Sequence, residues 1–159
     1  MAWKLAQSSK LTELFIAPGN AGTADVGTNV NIGVDDHDDI VKYALDENID
    51  LVVVAPDQPI VDGLCDQLRQ AGVTTFGPSA AAARIEGSKI WSDNLMTKYG
   101  IPTAESEPFS NSGVAMEYGH TKPEGSLVVK ADGLAAGKGV IIPETYDDLD
   151  TAIVGMLDH

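Results

Sequence analysis

Short apolar runs alternate with amphipathic stretches through the first half of the chain. The segment 50–55 holds three consecutive valines, which is typical of a strand buried on both faces of a parallel sheet. Apolar residues at helical spacing follow it at Val61, Leu64, Cys65 and Leu68. Strands that alternate with helices in this way predict βαβ units and an open parallel sheet. The predicted strands are 14–17, 30–34, 50–55 and 73–76, and the predicted helices are 40–45 and one from 61 that ends near Gly72.

The pattern changes after Ser79. An alanine-rich helix is predicted over 80–85, and a second helix over 89–99 ends at Gly100. The polar segment 103–125 predicts no defined element. Further along, strands 127–130 and 140–142 flank a glycine-rich stretch, and Thr145 with Asp148 forms a capping-box pattern before a final helix.

The first predicted element is only half a helix, ending near Ser8 and Ser9, and no strand comes before it. A right-handed βαβ sheet normally has its first strand in the middle. We therefore expect a strand and its phosphate-facing turn to precede this sequence in a longer protein. The alternative is an exposed N-terminal helix with nothing missing.

The charge of the chain argues against some classes of function. The 159 residues include 24 Asp and Glu against 10 Lys and Arg, a formal net charge of −14, spread over both halves of the chain. Binding to DNA, RNA or anionic membranes needs clustered basic residues, so we expect neither kind of partner. The acidity is explained equally by adaptation to high internal salt or by an ordinary acidic cytosolic protein.

The single cysteine, Cys65, cannot form an internal disulfide, and its apolar helical position predicts a core residue rather than a nucleophile. No apolar run approaches the roughly 20 residues of a membrane-spanning helix, and no basic signal peptide opens the chain. The expected compartment is therefore the cytoplasm.

The strongest chemical signal lies between the last two predicted strands. The loop that joins them carries Gly133, Gly137 and Gly139 among small residues, with Lys130 before it and Lys138 within it. A tight hairpin needs only two to five loop residues, whereas a longer glycine-rich loop exposes backbone amides that suit a polyphosphate. The pattern lacks the Gly-Lys-Ser/Thr sequence of a P-loop. The alternative is a mobile surface hairpin without a ligand.

The segment 128–140, VVKADGLAAGKGV, resembles the nucleotide loop of phosphoribosylamine–glycine ligases, a family of the ATP-grasp superfamily. Segments 17–24 and 76–89 resemble the N-terminal-domain loop of that family and its connection to the ATP-grasp part, and 100–104 also agrees. The resemblance extends over essentially the whole chain but over only the first part of the enzyme.

The resemblance implies an α/β fold, with an open parallel Rossmann-like (pre-ATP-grasp) domain followed by the start of an ATP-grasp domain. The implied substrate domain is 1–78, lacking its first strand. The ATP-grasp part is 79–159, with a nucleotide-loop subdomain from about residue 120. The implied enzyme is a cytoplasmic monomer that acts on glycine and 5-phosphoribosylamine.

The implied reaction forms glycyl phosphate from ATP and glycine, and the amine of 5-phosphoribosylamine then attacks it to give glycinamide ribonucleotide, ADP and phosphate. The residues implied in ATP binding are Lys89, Lys130, Asp132, Gly133, Gly137, Lys138 and Gly139. The residues implied in phosphoribosylamine binding are Gly19, Asn20, Gly22 and Asp57. At Asp57 the family usually has a glutamate, so the carboxylate is one methylene shorter here.

Other family features do not occur in these residues. The adenine-binding residues and the ligands for Mg²⁺ or Mn²⁺ are expected beyond residue 159, no residue is assigned as catalytic, and the fragment is expected to be inactive alone. Other readings of the sequence are a different ATP-grasp carboxylate–amine ligase and a non-catalytic nucleotide-binding module. The Ala135-Ala136 pair and Lys138 argue against a different ligase.

The remaining candidate residues are expected to be structural. The three histidines lack metal-ligand spacing, the two tryptophans are expected to pack, and the acidic cluster 35–39 is expected to begin a helix. The histidines are His37, His120 and His159, and the tryptophans are Trp3 and Trp91.

Overall fold

The computed structural model describes residues 1–135 and 137–158. The chain divides into two compact units, Met1–Ala83 and Arg84–His159, which are described separately below. Among the described residues, no helix is long and apolar enough to cross a membrane.

The first unit is built from short parallel strand pairs and helices, which confirms the predicted α/β class. Strand β1 pairs in parallel with β2, and β3 pairs in parallel with β4. The strands are β1 (Phe15–Ile16), β2 (Thr28–Asn29), β3 (Val52–Val53) and β4 (Thr75–Phe76). The helices are α1 (Ala2–Leu5), α2 (His37–Asp46), α3 (Asp57–Val61), α4 (Leu64–Gln70) and α5 (Ala80–Gly87), the last running across the division point.

The core of the first unit forms where α2 and α4 pack beside β3. Leu68 and Cys65 are fully buried there, and Pro59 is also among the most buried side chains. Burial raises the pKa of the Cys65 thiol, opposed in part by the nearby Arg69 charge. The prediction of Cys65 as an inert core residue is therefore consistent with its surroundings.

The second predicted strand is wrong in position. We predicted it over 30–34, but the ladder with β1 forms at Thr28 and Asn29, and only the Val30 amide extends it, by a bond to the Ile16 carbonyl. The chain then turns towards α2, where the Gly33 amide donates to the Asp36 carboxylate. This turn prevents the residues after Val30 from continuing the strand.

The prediction of one continuous helix from Val61 to near Gly72 is also wrong, because the structure has two helices, α3 and α4, in this part of the chain. The chain enters α3 directly at Asp57, and α3 and α4 are separated at Gly63, which has a φ of +93°. Glycine adopts this left-handed conformation without strain, so it ends one helix and begins the next. Pro56 is the N-cap of α3 and Pro59 lies in its first turn, where proline is tolerated.

The residues of the second unit that the structure describes after α5 form three helices and an antiparallel strand pair. Its elements are α6 (Lys89–Tyr99), α7 (Ser112–Gly119), β5 (Val129–Lys130), β6 (Val140–Ile141) and α8 (Tyr146–Leu157). Ala115 of α7 packs with Leu149 and Ile153 of α8 to form its core. The Thr145 capping box and the left-handed Gly100 at the end of α6 are both confirmed.

Helix α7 lies in the segment where the sequence predicted no element. Asn111 caps it, its side chain accepting a hydrogen bond of 3.0 Å from the Val114 amide. Glycines at both ends of this short helix weaken its intrinsic propensity. Its stability therefore depends on packing against α8, which the local sequence does not reveal.

Candidate functional site

The candidate nucleotide site lies within the second unit, where the start of α6 meets the base of the β5–β6 hairpin. Ser88 is the N-cap of α6, and its hydroxyl accepts a hydrogen bond of 3.1 Å from the Trp91 amide. The same hydroxyl donates to Asp132 Oδ2 at 3.1 Å, and the Ile90 amide donates to Asp132 Oδ1 at 3.2 Å. One carboxylate therefore holds two groups at the beginning of the helix.

Lys89 makes the next contact between the same two segments. Its Nζ donates a hydrogen bond of 2.8 Å to the carbonyl of Gly133, and its side chain is partly buried. The structure thus brings together Lys89, Asp132 and Gly133, three residues that the sequence implied in ATP binding.

The hairpin carries the remaining candidate residues. Lys130, at the end of β5, is opposite Val140 in the ladder, and the Ala131 amide donates to the Gly139 carbonyl at 2.8 Å. A second bond of 2.8 Å, from the Lys138 amide to the Ala135 carbonyl, closes a turn. Lys130 and Lys138 are both exposed, so their ammonium groups are accessible to an anion.

Two glycines of the hairpin are required for different reasons. Gly137 has a φ of +78°, a conformation that side-chain-bearing residues rarely adopt, although a Cβ there would meet nothing within 4 Å. At Gly139 a Cβ would lie only 2.5 Å from the Cβ of Ala135. Small residues therefore allow the two sides of the hairpin to approach, as expected of a loop that encloses a ligand through its backbone.

The electrostatics of Asp132 follow from its hydrogen bonds. Partial burial raises the pKa of its carboxyl. The hydrogen-bond donors, chiefly the Ile90 amide and the Ser88 hydroxyl, lower that pKa by more. The net pKa lies below the ordinary value of 3.8, so the group is ionised at neutral pH.

The candidate phosphoribosylamine loop follows β1 in the first unit. The peptide bond between Ala17 and Pro18 is cis. The Asn20 side-chain oxygen accepts hydrogen bonds from the Gly22 amide at 2.9 Å and the Thr23 amide at 3.1 Å. The side chain of Asn20 therefore shapes the loop from within.

Thr23 and Asn29 complete this loop, although no role was predicted for either residue. The Thr23 hydroxyl donates to Asn29 Oδ1 at 2.8 Å, and Asn29 Nδ2 donates to the Asn20 carbonyl at 2.8 Å. A Cβ at Gly19 would lie 2.1 Å from Asn29 Oδ1. Thr23 was within a recognisable turn motif, but the pairing of Asn29 depends on the β1–β2 register, which local sequence does not specify.

Asp57 is exposed in the first turn of α3, after β3. It follows the carboxyl end of a parallel strand, as the Asn20 loop does. Ligands in open α/β sheets commonly bind at such strand ends.

The remaining polar candidates show no metal-binding arrangement. Among the residues that the structure describes, no group of three or more His, Cys, Asp or Glu side chains could hold a metal ion. His120 Nε2 lies 3.0 Å from Asp150 Oδ1, and its ring contacts the ring of Tyr146 at an angle of 50°. His37 is the first residue of α2. His159 and Ala136 lie outside the described residues.

Comparison with protein-family models places both units in one kind of enzyme. Residues 1–86 match the model described as phosphoribosylglycinamide synthetase, N domain. Residues 87–159 match the model described as phosphoribosylglycinamide synthetase, ATP-grasp (A) domain.

Relatives of known sequence agree with these matches. A phosphoribosylamine–glycine ligase of Neisseria meningitidis serogroup B is 46% identical over 99% of this chain and 37% of the relative. One from Escherichia coli O157:H7 is 45% identical over the same shares of the two chains. The chain thus spans a little over a third of the length of these curated relatives.

Solved structures give the same fold. The phosphoribosylamine–glycine ligase of Thermotoga maritima is 29% identical, with a TM-score of 0.71 over 98% of this chain and 35% of its own. The biotin carboxylase domain of the Hydrogenobacter thermophilus 2-oxoglutarate carboxylase, solved with MgADP, has a TM-score of 0.63 over 84% of this chain and 32% of its own. Since that domain is only 18% identical, it shows a likeness of fold alone.

Proposed function

The chain belongs to the phosphoribosylglycinamide synthetase family, and on that premise we propose that it serves the ATP-dependent ligation of glycine to 5-phosphoribosylamine. Glycine is activated as glycyl phosphate, and the amine of 5-phosphoribosylamine attacks it. The products are glycinamide ribonucleotide, ADP and phosphate, so the reaction is a step of purine synthesis. The observation that carries the proposal is the contact of Lys89 with the base of the glycine-rich hairpin.

The second unit is proposed to bind the polyphosphate of ATP. The residues present fit that group, because the hairpin is lined by small residues and flanked by two exposed ammonium groups, on Lys130 and Lys138. These charges offset the phosphate charge in the ground state and as it develops during phosphoryl transfer. Lys89 supplies a third ammonium from the first turn of α6.

Mg²⁺ is the proposed metal, with Mn²⁺ as a substitute, and it would neutralise phosphate charge during transfer. The described residues contain no cluster suited to hold it, so we assign it no ligand in this chain. What these residues do is position and screen the phosphates.

The first unit is proposed to bind phosphoribosylamine through Gly19, Asn20, Gly22 and Asp57. Because the Asn20 side-chain oxygen is engaged by backbone amides, its proposed contribution is to fix the loop for backbone contacts. We propose a substrate domain over 1–78 and an ATP-grasp part from residue 79, with the nucleotide-loop subdomain from about residue 120. We also propose that the enzyme is monomeric and acts in the cytoplasm.

Titration calorimetry with MgADP tests the nucleotide site directly, when the chain is extended to include the adenine-binding and metal-binding residues expected beyond residue 159. Lys130→Ala should weaken binding by roughly tenfold, since it removes one ammonium group facing an anion. Lys98→Ala is the matched control, because Lys98 lies in the last turn of α6, at the end opposite to Lys89. Equal affinities of the wild-type chain and Lys130→Ala would contradict the proposed site.

A further inference from the structure

We propose that Asp132 is a positioning residue, whose carboxylate fastens the base of the glycine-rich hairpin to the first turn of α6 and thereby sets the place of the Lys89 ammonium. The inference rests on the proposed function and assigns Asp132 a role other than direct contact with the nucleotide.

The first argument is that both oxygens of the carboxylate have partners at the start of α6, one in its first turn and one at its N-cap. Oδ1 accepts from the Ile90 amide, and Oδ2 accepts from the Ser88 hydroxyl. Ser88 is itself fixed, since it caps the helix through the Trp91 amide. The carboxylate is therefore directed towards the start of the helix by two bonds to residues more than 40 positions earlier in the chain.

The second argument is electrostatic. A carboxylate within a phosphate-binding hairpin would repel its ligand if it faced the phosphates. At the N-terminus of the 11-residue helix α6, the same negative charge faces free amide groups and the positive end of the helix dipole. This placement offsets the charge of Asp132 locally. The Asp132 carboxylate therefore does not compete with phosphate for the lysines of the hairpin.

The third argument concerns Lys89, which lies between the two residues that Asp132 holds. The Lys89 ammonium bonds to the carbonyl of Gly133, the residue directly after Asp132. The segments 88–90 and 132–133 are thus joined by three contacts, two of them made by one carboxylate. Without that carboxylate, the lysine would have to order the two segments alone, and binding a nucleotide would cost more conformational entropy.

Hydrogen exchange measured on the chain without nucleotide tests whether Asp132 holds the hairpin to the start of α6. Asp132→Ala should increase exchange at the Ile90 amide and at the base of the hairpin. Asp132→Asn keeps an acceptor for Ile90 and should restore most of the protection. Asp147→Ala controls for the loss of an exposed acidic residue, since Asp147 lies in the first turn of a different helix, α8. Unchanged exchange at Ile90 in Asp132→Ala would overturn the inference.

Affinity for MgADP separates positioning from direct contact. A positioning role predicts roughly tenfold weaker binding for Asp132→Ala and near wild-type affinity for Asp132→Asn, because the acceptor geometry survives in the amide. Ser88→Ala, which removes one of the two bonds, should have an intermediate effect. Equal losses in Asp132→Ala and Asp132→Asn, with wild-type exchange in both, would instead indicate direct contact and overturn the inference.

Failure of the proposed function gives a different result. Suppose that Lys130→Ala leaves MgADP affinity unchanged, while Asp132→Ala still weakens it and increases hydrogen exchange in the hairpin. The proposed phosphate contacts are then wrong, and the positioning role of Asp132 is supported.

Discussion

The side-chain ammonium of Lys89 donates a hydrogen bond of 2.8 Å to the backbone carbonyl of Gly133. This bond joins the first turn of α6 to the base of the hairpin across 44 positions of sequence. A lysine ammonium has three donors, so the bond to Gly133 leaves two for phosphate oxygens. Lys89 is therefore held in place by the hairpin itself.

Replacing Lys89 by methionine should weaken MgADP binding by roughly tenfold or more, because it removes a charge and a link to the hairpin together. Methionine retains an unbranched stem, so α6 should persist in circular dichroism. Lys98→Met, at the opposite end of the same helix, should bind as the wild type does. Equal losses in the two variants would mean that only net charge matters.

Replacing Gly19 by alanine should destabilise the first unit more than replacing Gly72. Both glycines have a positive φ, +77° and +85°, so both alanines carry similar strain of about 1–2 kcal/mol. Only the Cβ at position 19 meets a neighbour, the side chain of Asn29, which must then give up its bonds within the loop. We expect an extra loss of roughly 1–2 kcal/mol by urea unfolding. Equal losses would show that the Asn29 bonds add little stability.

Replacing Leu68 by alanine should cost about 2–5 kcal/mol, because it leaves a cavity in a core where that side chain is fully buried. Leu45→Ala is the control, since Leu45 is 49% exposed, and it should cost less than about 1 kcal/mol. Urea unfolding of both variants measures the difference. A small loss for Leu68→Ala would mean that the core of the first unit is loosely packed.

Asp132 should contribute to the loss of folding stability at acid pH. Its pKa is lowered on folding, so the unfolded chain binds more protons near the ordinary pKa of 3.8, and stability rises with pH there. The stability difference between the wild type and Asp132→Asn should be constant above about pH 5 and shrink as pH falls through the folded pKa. Urea unfolding across this range measures it, and a difference that grows towards low pH would contradict the assigned charge state.

Much of the fold could be predicted from local pattern. The valines of β3, the glycine that ends α6 at position 100 and the capping box at Thr145 are local signals, and each produced the expected kind of element. Helix α7 and the shifted strand β2 could not be predicted, because each depends on a partner far along the chain. For α7 that partner is α8, and for β2 it is β1.

The candidate site shows the same limit. Composition and resemblance indicated which residues bear the charges, but not which atoms they face. The direction of the Asp132 carboxylate is set by the amides of α6, and the role of Asn29 is set by strand register. Both are long-range relationships, which cannot be predicted from the chemistry of single residues.

The ligase chemistry is tested most directly by exchanging residues with a homologous enzyme. These 159 residues can replace the matching segment of the Escherichia coli relative, which is 45% identical over 99% of this chain. ADP formation is then measured with glycine and phosphoribosylamine present together and with each omitted, after MgADP binding has shown that the chimera is folded. The account predicts ADP formation that requires both substrates and falls sharply in the Lys130→Ala chimera. A folded chimera that binds MgADP but forms no ADP with both substrates present would contradict it.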